Sequence, residues 1–110
     1  MSKWNDQLAI FDRLVEACPD FERKGKKMIY TSANGYMFSL LNKEAEIGIR
    51  LSKESQKAFI AEHPGSGPYK SHGATMKDYV LVPEDLLKDE ARVVEYMKES
   101  HAFVMTLPPK

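Results

Sequence analysis

A single cysteine, Cys18, stands among the 110 residues, so no internal disulfide can form and no cysteine-based metal site can be assembled. No apolar run exceeds four residues, far short of the ~20 that a membrane-spanning helix requires. Neither sign of charge is in excess, since 16 Lys and Arg face 16 Asp and Glu. The balance also holds locally: residues 1–51 carry 8 basic and 7 acidic groups, and residues 52–110 carry 8 and 9. Binding by phosphate neutralisation leans on a clustered cationic excess, so nucleic acid is disfavoured as a partner. Residues 1–6 run into charged helical sequence without the apolar stretch of a signal peptide. A reduced, cytoplasmic protein is therefore expected. Two sequence motifs of catalysis are missing as well, H-E-x-x-H and G-x-S-x-G. Gly65-Ser66-Gly67 follows a helical stretch and leads into Pro68-Tyr69. A nucleophile elbow or a phosphate loop would need a helix to start there.

What is present describes one ordinary globular domain over residues 1–110. The hydrophobic share is 43% and the charged share 29%, and a chain of this length buries roughly 60–70% of its unfolded surface. Trp4, Leu8, Phe11 and Val15 recur at helical spacing, predicting an amphipathic helix over 3–17 that Pro19 ends. Met28–Thr31, Tyr36–Leu41 and Glu46–Leu51 are β-prone, and Asn34-Gly35 between the first two is a hairpin signal because both residues tolerate positive φ. Residues 27–51 thus form an antiparallel three-stranded meander. Ser52 caps a second helix running to about His63, which Pro64-Gly65 ends. Residues 64–75 are the one long loop-like stretch, a length that is uncommon unless it has a role or hides a short strand. Met76–Val82 is the last strand. Pro83-Glu84-Asp85 opens a short turn before a helix over about 89–106, with Val93, Met97, Ser100, Val104 and Leu107 on one face. The order α-β-β-β-α-β-α implies an α+β, two-layer fold with helices on one face of an antiparallel sheet.

No catalytic constellation emerges from this frame, and no cofactor or metal is implied. His63 at a helix end, His72 in the loop and His101 beside an apolar stripe are each explained structurally, with no second histidine at i, i+4. Cys18 lies on the apolar stripe of the first helix and reads as a small core residue. Glu84-Asp85 and Asp89-Glu90 fall at helix starts, where the dipole accounts for them. Two features remain. Arg23, Lys24, Lys26 and Lys27 form a basic knot. If its segment converged with Arg50, Tyr69, Lys70 and His72 it would make a ligand or anion site, with Lys27 as the knot's contribution. Strand 36–41 is apolar on both faces, with Tyr36, Phe38 and Leu40 opposed to Met37 and Leu41. The face away from the helices then needs cover from the 64–75 loop, the last helix or another molecule.

Lys27-Met28-Ile29-Tyr30, Asn34 to Leu40 and Ile47-Gly48-Ile49-Arg50-Leu51, followed by Met76 to Glu84, resemble in order and spacing the N-terminal domain of TfoX/Sxy competence regulators. The tail, Tyr96-Met97-Lys98-Glu99-Ser100 through Leu107-Pro108-Pro109-Lys110, is similar to stand-alone bacterial members of that family. The chain departs from it in having Met28-Ile29-Tyr30-Thr31 where Met-Phe-Gly-Gly is common, and Tyr96 where a tryptophan is common. The resemblance implies a secretion-chaperone-like α+β architecture, shared with YjbR-like proteins, and a loose regulatory connection. It brings no catalytic residues. The expected function is a non-enzymatic cytoplasmic domain acting through protein–protein contact or regulation, with an unknown protein partner or self-association and no membrane. The alternative is a small-ligand or anion-binding domain using the sheet face and the 64–75 loop.

Overall fold

Apolar spacing and capping chemistry set the helices. The computed structural model describes residues 3–18, 23, 29–42, 45–63, 66, 68–71 and 74–109. Helix α1 spans Lys3–Glu16. Its most buried line is Gln7, Phe11, Leu14 and Cys18, with Trp4, Leu8 and Val15 alongside. The centre of the stripe is therefore rotated by one position from the spacing of Trp4, Leu8, Phe11 and Val15. The reason is polar: Gln7 enters the interior because its Nε2 donates to the Ala45 carbonyl (3.2 Å), as Trp4 Nε1 donates to that of Asn42 (3.2 Å).

Strands β1 (Ile29–Ala33), β2 (Tyr36–Leu41) and β3 (Ile47–Arg50) form the meander. Asn34 and Gly35 take φ of 55° and 83° between β1 and β2, the two positive angles that a tight hairpin turn demands. Asn34 has a second task. Its Nδ2 donates to the carbonyls of Val104 (3.0 Å) and Leu107 (2.8 Å), which ties the turn to the end of the last helix.

Helix α2 covers Lys53–Glu62, and Ser52 caps it by accepting from the Ser55 amide. The segment expected as a loop contains a further strand, β4 (Pro68–Ser71), paired with β5 (Ala74–Leu81). Proline is tolerated at the first residue of an edge strand, which is where Pro68 stands. Helices α3 (Glu84–Leu87) and α4 (Glu90–Met105) follow. All pairings are antiparallel, and the sheet order is β1-β2-β3-β5-β4. The fold is α+β in two layers.

The helical layer closes one face of the sheet. Phe11, Leu14, Phe59, Val93, Met97 and Val104 meet Ile29, Phe38, Leu41, Ile47, Ile49 and Val80 in one buried cluster. Membership of that cluster differs from simple alternation along β2. The register against β1 passes from Thr31↔Ser39 to Ser32↔Met37, leaving Phe38 as one extra residue, a β-bulge. Tyr36, Phe38 and Leu41 consequently belong to the helix-side cluster, and Met37 and Leu40 to the opposite one. Thr31 and Ser39 hydrogen-bond through their hydroxyls where the bulge begins. From α4, the fully buried Ser100 hydroxyl reaches the carbonyls of Phe38 (3.2 Å) and Arg50.

Candidate functional site

The face of the sheet away from the helices is covered by tyrosines from β4 and β5. Tyr69 is wholly buried, with its hydroxyl donating to the Glu46 carbonyl (2.9 Å) and the Leu40 carbonyl at 3.3 Å. Its ring occupies the space where a Gly48 side chain would project; a Cβ there would stand 2.6 Å from the ring. Tyr79 stacks beside it, ring centroids 6.0 Å apart, and donates to the Met37 carbonyl at 2.5 Å. The cover that strand 36–41 requires on this face thus comes from the 64–75 segment itself. It is incomplete. Leu40, Tyr69 and Tyr79 are buried, whereas Tyr30, Met37 and Leu81 around them are only partly so. Tyr30 and Ser32 of β1 lie next to Leu40 and Met37 of β2 by register, forming a half-exposed aromatic and methionine patch at the β1 edge.

The residues expected to converge on a ligand do not form one described cluster. Tyr69 belongs to the core, since its ring is enclosed and its hydroxyl is engaged by backbone carbonyls. Arg50 lies over the Tyr36 ring (5.3 Å to its centroid), with Nη2 3.4 Å from the Asp78 carboxylate and with a buried Nε that has no hydrogen-bond partner among the described residues. Along β5, Arg50 pairs with Tyr79 and Lys70 with Thr75, four positions apart. That is roughly 13 Å of strand. Arg23 of the basic knot is held by Asp12 of α1 at 2.7 Å. Lys24, Lys26, Lys27 and His72 lie outside the described residues.

A second polar cluster was hidden from sequence reasoning. The Tyr96 hydroxyl accepts from Arg92 Nη2 (3.2 Å), donates to Glu62 Oε2 (3.1 Å) and lies 3.1 Å from His63 Nε2. With its single proton given to Glu62, the hydroxyl can bond His63 only as an acceptor, which requires the Nε2-protonated ring. Arg92 also pairs with Glu62 at 2.8 Å and lies over the Tyr96 ring at 5.0 Å. Phe59 packs against both the His63 and Tyr96 rings. Burial pushes the Tyr96 hydroxyl above its ordinary range; the Arg92 hydrogen bond opposes the shift and Glu62 adds to it. The spacing of Arg92 and Tyr96 at i, i+4 was the one visible signal, because Glu62 and His63 come from another helix. The arrangement holds the end of α2 against α4. Tyr96→Phe should cost about 0.5–1.5 kcal/mol in chemical denaturation, with the far-UV spectrum unchanged.

A cleft of about 380 Å³ lies between Gln7, Ala45 and Glu46 on one side and residues 81–85 on the other. Its ionisable side chains are the carboxylates of Glu46, Glu84 and Asp85. This lining repels anions, and none of the expected basic residues contributes to it. Among the described residues, no group of three or more His, Cys, Asp or Glu is placed to hold a metal ion, and no helix is long and apolar enough to cross a membrane. No protein-family model matches the chain, and no curated protein matches it significantly. The resemblance to TfoX/Sxy regulators accordingly rests on the residue runs quoted above.

Proposed function

We propose that this chain is a non-enzymatic, cytoplasmic interaction domain that works through protein contact. Its contact surface is the incompletely covered sheet face beside β1. The observation that carries this reading is the patch of Tyr30, Ser32 and Met37, half-exposed over the buried Leu40 and Tyr79. Aromatic residues and methionine are the types enriched in protein interfaces, and methionine adapts readily to irregular partner surfaces. The rigid layer beneath fixes the patch, since Tyr79 holds the Met37 carbonyl from below.

Photo-cross-linking in cells tests the reading. A photoreactive side chain at position 37 should yield a product of discrete mass, and the same group at the exposed Glu54 of α2 should yield little. No product from position 37, or equal yields from both, would sink the proposal.

A further inference from the structure

We draw no further inference here: the strongest candidate, the cleft between α1, the turn after β2 and residues 81–85, is marked by the carboxylates of Glu46, Glu84 and Asp85, a cluster that is no site without a second sign of a ligand, and the buried Gln7 amide beside it is already bonded to the Ala45 carbonyl.

Discussion

Gly48→Ala should destabilise the protein by roughly 1–3 kcal/mol, and the same substitution should become neutral or mildly stabilising once Tyr69 is truncated to alanine. Gly48 sits in β3 with an extended neighbour on each side, and nothing in its own backbone angles calls for glycine. The demand comes from across the sheet. The added Cβ would lie 2.6 Å from two carbons of the Tyr69 ring and 2.7 Å from a third. The ring has nowhere to go, because it is fully enclosed, stacked on Tyr79 and anchored by its hydroxyl to the Glu46 carbonyl. Relief would have to come from a shift of β4 as a whole. Tyr69→Ala alone should be the more damaging change, at about 3–5 kcal/mol. In that background the clash is gone and alanine is better suited than glycine to a strand interior by about 0.5–1 kcal/mol, so the sign of the Gly48 effect reverses. Denaturation midpoints of the four chains in the cycle provide the check. Additive losses would show that the glycine is required for some other reason.

That pair marks the boundary of what the sequence could reveal. The helices, the Asn34-Gly35 hairpin and the three meander strands follow from local rules: periodicity, capping by Ser52, and two residues that accept positive φ. The α+β class follows from their order. Strand β4 escaped because four residues headed by proline, within glycine-rich sequence, look like a loop. What makes them a strand is Tyr69 finding a slot over a glycine 21 positions earlier in the chain, which is a tertiary event. The face assignment within β2 failed for a related reason. Alternation predicts that Leu40 sides with Tyr36 and Phe38, whereas one extra residue at Phe38 moves it to the other face. A bulge is a property of two strands in register and leaves no trace in either alone. Charge and the length of the loop are what single out the expected ligand residues in the sequence. The structure draws Tyr69 into the core and Arg50 onto Tyr36, while the half-exposed patch consists of Tyr30 and Met37, residues that read as ordinary strand formers.

Alkaline titration should expose the second tyrosine of the far face. Tyr79 is buried, and burial pushes its hydroxyl up to about 12; the nearby Arg50 guanidinium pulls it down and Asp78 pushes it up, both less strongly. The unfolded chain ionises this group near 10. Because the folded value is raised, the contribution of the neutral phenol is fully present below about pH 10 and disappears as pH climbs from there through about 12. Over that window the unfolded state binds fewer protons than the folded state, so stability falls with rising pH by about 1.4 kcal/mol per unit, a loss on the order of 2–3 kcal/mol in all. Tyr96, raised by partial burial, adds a loss of the same sign. Tyr79→Phe separates the two. At neutral pH it should cost about 1 kcal/mol, since the Met37 carbonyl loses the hydroxyl that reaches it at 2.5 Å. In return, the alkaline slope of its unfolding free energy should be shallower than that of the wild type by close to one proton. Denaturant unfolding at a series of pH values, followed alongside the near-ultraviolet phenolate absorbance, measures both quantities. Parallel slopes for wild type and variant would place the alkaline transition elsewhere. A shallower slope in the variant would show that the tyrosines closing the far face of the sheet must stay neutral for it to remain closed.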